Sequence, residues 1–296
     1  MDGYERITSQ ILDMLERGVV PWRKPWIAAQ YGAPVNAASH KPYRGINRAM
    51  LGVSPYADNR WLTFKQAHDL GGYVRKGERS TTVVFWKSLD IAKRNDAGDT
   101  EQVTIPLLRF YLVWNVEQCD GLNLPKLETP TREFTAIESA ERIVDGYRGK
   151  PAIVHSGTRA FYAPFWDKVT MPARETFDSA ESYYSVLFHE LGHSTGHTDR
   201  LKRSGIENVQ PFGSDSYGQE ELVAEFSAAF LCASAGIEPT TLGMSASYID
   251  SWIRTIKADK RIAVIAAAQA QKASDWIVGE RGVSQPVETP ALAEVH

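Results

Sequence analysis

Cysteine is nearly missing from this chain: Cys119 and Cys232 are the only two in 296 residues. Two thiols cannot make a disulfide framework or a cysteine-based zinc site, so a metal would have to rest on histidine and carboxylate. Long apolar runs are missing too. The longest, Ile262 to Ala268, is a short alanine-rich stretch, far below the roughly 20 residues that cross a bilayer. Met1-Asp2-Gly3-Tyr4-Glu5 is acidic at once and has no apolar leader core, which predicts a cytoplasmic protein without a membrane partner. There is no internal repeat, and the one biased tract is a polar tail, 279–296, expected to be disordered. What remains is a globular chain long enough for two domains with a core each.

The net charge of −3 conceals an asymmetry. Residues 1–126 carry 17 Lys+Arg against 13 Asp+Glu, whereas residues 127–296 carry 16 against 23. Between 17 and 87 there are 12 basic residues and only Asp58, Asp69 and Glu78 as acids. Such a cluster is an electrostatic footprint for polyanions. Gly121, Asn123, Pro125 and Pro130 mark a junction, giving a domain at 1–126, a linker at 127–132 and a second domain at 133–278.

In the first half, Ile7, Ile11, Leu12, Leu15 and Val19 recur at helical spacing before Gly18 stops the helix. Pro21-Trp22-Arg23-Lys24-Pro25-Trp26 reads as extended loop. Short helices are predicted over Ile46 to Leu51 and Thr63 to Leu70, the second capped by Thr63. Thr81 to Trp86 and Val103 to Trp114 are rich in β-branched and aromatic residues, with turn chemistry at Asn95 to Asp99, and predict a β-hairpin. The reading is a small α+β domain.

Its cations are interleaved with aromatics. Trp22-Arg23-Lys24-Pro25-Trp26 and Lys41-Pro42-Tyr43-Arg44 show the pattern, as do Tyr73-Val74-Arg75-Lys76 and Trp86-Lys87. Single-stranded nucleic acid is held by cations that track phosphates and rings that stack bases, each stack contributing about 1–3 kcal/mol. Trp22, Arg23, Lys24, Trp26, Lys41, Tyr43, Arg44, Asn47, Arg48, Lys65, Arg75, Lys76, Trp86 and Lys87 are therefore the expected contacts. No basic recognition helix suited to duplex DNA is visible.

The second half opens on a capping box, Thr135 to Glu138, with strands expected at Pro151 to His155 and at Phe161 to Met171, broken near Pro164. The free edge of such a sheet can align a peptide by backbone pairing. A helix from Asp178 onward then runs into His189-Glu190-Leu191-Gly192-His193. Positions i and i+4 share a helix face, so both imidazoles can meet one zinc ion while Glu190 serves as general base. A chance match is expected about 0.01 times in a chain of this composition. A third histidine at the spacing of the extended motif is absent: Gly196 is in place, but position 199 is Asp199, and His197 is read as structural. The third ligand is sought in Glu220-Glu221-Leu222-Val223-Ala224-Glu225, where Glu221 and Glu225 share a face. Glu221 is favoured as ligand with Glu225 in support, the reverse remaining open, and Glu220 is assigned to the helix dipole.

The runs Lys41 to Arg48, Trp61 to Ala67, Gly71 to Glu78 and Val83 to Lys87 resemble the ArdC-type N-terminal domain of plasmid antirestriction proteins. His189 to His197, Phe212-Gly213-Ser214 and Glu220 to Glu225 are similar to the zincin-like metallopeptidase domain found with it. The resemblance covers roughly 3–277. It implies an α+β chain of two domains: a small α+β domain that binds single-stranded DNA, and a mainly helical gluzincin-like domain with a small sheet. It further implies a bacterial plasmid protein acting in the recipient cytoplasm during conjugation, with Zn2+ as cofactor and a subunit of the host restriction system as the protein substrate. The alternative is a DNA-coating protein whose metal is structural. A metal-dependent nuclease fits less well, because phosphodiester cleavage more often uses paired metals.

Overall fold

The computed structural model describes residues 2–17, 19–21, 33–94, 100–125, 127, 136–207, 215–237 and 246–279. Helix α1 (Gly3–Glu16) starts at a capping box between Asp2 and Glu5 and buries Ile7, Ile11 and Leu15 along one face. It ends on Glu16, before the expected stop at Gly18, which lies outside the described residues. Strand β1 (Val35–Asn36), helix α2 (Ile46–Gly52) and strand β2 (Arg60–Leu62) follow. Helix α3 (Phe64–Asp69) is capped by Thr63 and Gln66 reciprocally, at the predicted place.

Strand β3 (Tyr73–Val74) precedes the long hairpin of β4 (Thr81–Arg94) and β5 (Thr100–Asn115), and β3 pairs with β6 (Cys119–Asp120). The larger sheet has the order β1-β2-β5-β4. The hairpin turn at 95–99, the Thr135 cap, most of the linker and the tail from 280 onward lie outside the described residues.

In the second half, α4 (Ala136–Gly146) leads into β7 (Ala152–His155), β8 (Phe161–Ala163) and β9 (Lys168–Met171). The break predicted at Pro164 is a single 3-10 turn, Pro164–Trp166, and β9 is central, parallel to β7 and antiparallel to β8. Helix α5 (Ala180–Ser194) is capped by Ser179, whose side chain accepts from Ser182 N. Then come α6 (Ser204–Glu207), α7 (Asp215–Ala235), α8 (Ala246–Ala258) and α9 (Ile262–Val278). Leu222, Val223, Phe226, Ala229 and Phe230 make α7 apolar on most sides over its middle turns, Glu221 and Glu225 apart, and it is accordingly the central helix, packed by α5 and α9.

Each half has hydrophobic clusters of its own, around Trp61 and Leu62 in the first and around Tyr184, Phe188 and Leu231 in the second. A further core belongs to both. Ile7, Ile11, Leu15, Ile46, Met50 and Val84 pack there with Leu222, Phe226, Phe230, Trp252, Ile256 and Ala266. Cores confined to each half are therefore only part of the arrangement, because the apolar face of α1 finds its cover on helices some 200 residues away in sequence. Ion pairs from Lys260 to Asp2 and Glu5, and from Lys257 to Glu16, edge this contact.

Candidate metal centre and nucleic-acid surface

Helix α5 presents His189 and His193 one turn apart, with their Nε2 atoms 3.2 Å from each other. Helix α7 crosses it so that Glu221 Oε2 lies 3.6 Å from His189 Nε2 and Glu221 Oε1 lies 3.5 Å from His193 Nε2. Ligand atoms of these three residues fall within 4.8 Å of one another. The crossing is this close because position 192 has no side chain: a Cβ on Gly192 would meet Ser227 Cβ at 3.0 Å and Ala224 Cα at 3.3 Å.

The other ring nitrogens are also engaged. His193 Nδ1 donates to Glu220 Oε1 at 3.3 Å, and Glu225 Oε1 lies 3.6 Å from His189 Nδ1. A proton held on each Nδ1 leaves the Nε2 lone pairs bare and aimed at the same point. Two such lone pairs and a carboxylate form a donor set that fits a divalent cation. In the metal-free protein, burial pushes the His189 imidazolium down, but the carboxylates of Glu221, Glu225 and Glu190 outweigh it and hold the pKa at about 9. Glu190 itself is only 8% exposed.

Glu220 and Arg203 are the site residues that motif reading missed. Glu220 is not a solvated acid complementing a dipole: it is buried, and Arg203 donates to it through Nε at 2.9 Å and Nη2 at 2.6 Å. Burial would raise the Glu220 pKa, yet His193 and Arg203 hold it below the ordinary glutamate range. Arg203 also donates to Thr195 Oγ1 and to the Gly192 carbonyl, closing the C-terminal end of α5. The glycine counted toward an extended zinc motif serves this arginine, since a Cβ on Gly196 would lie 2.5 Å from Ile206 Cγ1 and 3.1 Å from Arg203 Nη2. His197 turns away and accepts from Asp199 N, as a structural residue does. Only the direct adjacency of Glu220 to Glu221 hinted at its role, and no short motif marks Arg203.

The expected DNA contacts divide. Trp22, Arg23, Lys24 and Trp26 lie outside the described residues. Lys41, Lys65 and Lys76 are exposed, Lys87 is half-buried, and Trp86 is partly exposed against Tyr4. Arg75 is tied to Glu78 and Asp120.

Tyr43, Asn47 and Arg48 are interior, so the expectation that they touch a strand is corrected: they would first have to leave the core. Tyr43 is 5% exposed, and burial raises its pKa to about 12. Asn47 exchanges two hydrogen bonds with the backbone of Val84, and Arg48 donates to Phe230 O beneath its guanidinium. Arg44 reaches across to Asp275, while the neighbouring Gly45 N donates to Gln271 Oε1. This segment joins the halves. Two rings not on the expected list, Phe64 and Tyr73, are more than half exposed beside Lys65 and Lys76; their adjacency to cations in sequence was the available signal. No helix among the described residues is long and apolar enough to cross a membrane.

Residues 1–114 match the family of the N-terminal domain of anti-restriction factor ArdC, and residues 138–270 match that of a zincin-like metallopeptidase. A Sinorhizobium fredii (strain NBRC 101917 / NGR234) protein known as uncharacterized protein y4eC is 36% identical over 302 residues, covering 99% of this chain and 96% of its own length. Two Escherichia coli DNA primase TraC proteins are 36% and 37% identical over 293 residues, and this chain spans only 27% and 20% of them. Crystal structures of the antirestriction ArdC protein from R388 plasmid are similar throughout. The metal-free one has a TM-score of 0.74 at 36% identity, covering 95% of this chain and 98% of that one. The Mn(II)-bound one has a TM-score of 0.74 at 35% identity, covering 96% and 100%.

Proposed function

Because the chain belongs to the ArdC antirestriction family, in which an ArdC N-terminal domain is joined to a zincin-like metallopeptidase domain, we propose that it protects incoming DNA from restriction by binding the single strand and by metal-dependent peptide hydrolysis at His189, His193 and Glu221. The observation that carries the second activity is the convergence of two imidazole Nε2 atoms and the Glu221 carboxylate on one point, backed by Glu220 and Glu225. Zn2+ is the proposed ion, since two imidazoles and one carboxylate are a common catalytic zinc set; when bound it supplies Lewis acidity to the scissile carbonyl. Glu190 accepts the proton of the attacking water and returns it to the leaving amine. Glu225 and Glu220 hold the two imidazoles in the tautomer that keeps Nε2 free, and Arg203 keeps Glu220 ionised while buried.

The single-strand surface is proposed on the side chains that reach solvent, Lys41, Phe64, Lys65, Tyr73, Lys76, Trp86 and Lys87, together with Trp22, Arg23, Lys24 and Trp26. Rings next to ammonium groups suit bases next to phosphates.

Two measurements test the reading. Peptide cleavage by the metal-loaded chain should fall about 10²–10⁴-fold in Glu190→Gln, with single-strand affinity unchanged. Phe64→Ala with Tyr73→Ala should do the reverse. Absence of any metal-dependent cleavage, together with full protection by Glu190→Gln in a restriction assay, would replace this reading with a DNA-coating protein whose metal is structural. In metal titrations, Glu221→Ala should lose the ion, while Glu225→Gln and Glu220→Gln should weaken it about 10- to 100-fold.

A further inference from the structure

The acidic second half contains one basic island. Residues 148–174 hold five Lys+Arg and a single acid, Asp167, against an excess of acids over the half as a whole. That acid is already neutralised, since Arg200 donates to both of its carboxylate oxygens at 2.8 and 2.6 Å and Tyr162 donates a third bond at 2.8 Å. Arg148, Arg159 and Lys168, by contrast, have no carboxylate partner among the described residues.

At the tip of this island, between β8 and β9, Phe165 and Trp166 stand 89% and 69% exposed. Their rings meet edge to face at 5.4 Å, and Lys168 Nζ lies 5.6 Å from the centre of the Trp166 ring. Phe161 on the adjoining strand is also exposed. A slack loop would fold such rings back against the protein. This turn cannot, because Asp167 holds a left-handed φ of 44° under its three hydrogen bonds, and Arg200 fastens it to Ser194 O in the last turn of α5. Two large rings are thus kept in water by a tethered turn, beside the ammonium of Lys168 and on a sheet whose β7–β8 loop carries the exposed Arg159.

We propose that this hairpin tip is a second single-stranded-DNA contact, in which Phe165 and Trp166 stack bases and Lys168, Arg159 and Arg148 follow the phosphates. A purely hydrophobic protein partner would not call for the cations, whereas a polyanion with π-faces uses both. The inference rests on the single-strand reading above and adds to it a surface on the metallopeptidase half, fixed to the helix that carries His189 and His193. A strand engaged by both surfaces would span the two halves.

Fluorescence anisotropy of labelled (dT)8 and (dT)40 with the full chain tests it. Phe165→Ala with Trp166→Ala should weaken (dT)40 binding by at least about 5- to 150-fold, the loss expected for each base stack removed. It should leave (dT)8 bound at the first-half surface, with melting temperature and metal content unchanged. Trp166→Phe keeps a ring and should restore most of the affinity, while Lys168→Ala should reduce the salt dependence. An unchanged (dT)40 affinity in the double alanine variant, with Phe64→Ala and Tyr73→Ala still effective, overturns this inference and leaves the single-strand reading intact. Failure of the wild-type chain to bind (dT)40 at all overturns both. If the double variant instead abolishes self-association in sedimentation velocity without affecting DNA, the tip is a protein contact and the inference falls.

Discussion

At the scale of single residues, the proposed centre engages the second nitrogen of each histidine. A carboxylate within reach of Nδ1 selects the tautomer, and Arg203 makes the buried Glu220 tolerable by supplying two donors and a charge. The same carboxylates have a cost when no metal is bound, because they crowd negative charge around His189 and raise its pKa to about 9 against an ordinary value of 6.5. A folded-state pKa above the unfolded one means that proton binding stabilises the fold. The benefit is complete below about pH 6.5 and disappears as pH climbs through about 9. The metal-free chain should therefore melt at progressively lower temperature between those limits, while the metal-loaded chain should not follow that trend. Metal uptake at pH 7.5 should release about one proton, measurable by calorimetry in buffers of different ionisation enthalpy.

At the scale of elements, the centre depends on how closely α5 and α7 cross. Gly192 lies in the interval between His189 and His193 and permits the contact with Ser227 and Ala224. Gly192→Val should cost at least about 1–3 kcal/mol through overpacking and weaken metal binding with it, because separating the helices moves both imidazoles away from Glu221. Urea unfolding and metal titration of the same variant would show the two losses together. Gly146, at the end of α4, has open space where a Cβ would go, so Gly146→Ala is the matched control and should be neutral or gain up to about 1 kcal/mol. The helices were readable beforehand wherever caps and period agreed, as at Thr63 with Gln66 and at Ser179 before α5. The break between α8 and α9 falls at the Asp259–Arg261 turn, whose side-chain-to-backbone bond at Arg261 N carries no periodic signal.

At the scale of the whole molecule, the core formed by α1, α2, α7, α8 and α9 draws residues from both halves. A single thermal transition is expected, with first-half tryptophan fluorescence and metal release coinciding. Ile11→Ala, which opens a void in the shared core, should cost about 2–5 kcal/mol and lower both signals equally, although it touches neither site. Two separated transitions would show that the halves unfold independently. The Lys41 to Arg48 segment gains its meaning here. Its cations and tyrosine read as a nucleic-acid surface on composition, yet Tyr43, Asn47 and Arg48 are spent on the interior and Arg44 on Asp275.

What the sequence determined by itself was local. Helical spacing puts His189 and His193 on one face whatever surrounds them, and runs rich in β-branched and aromatic residues make the hairpin. The charge split between the halves is likewise a property of the chain alone. The placement of Glu221 beside both Nε2 atoms and of Glu225 behind His189, the contact of Glu220 with Arg203, the burial of Tyr43 and the exposure of Phe165 and Trp166 were decided only by the tertiary structure. Each of these depends on which distant segment packs against the residue, and packing between segments leaves no period in the sequence that a local pattern can detect.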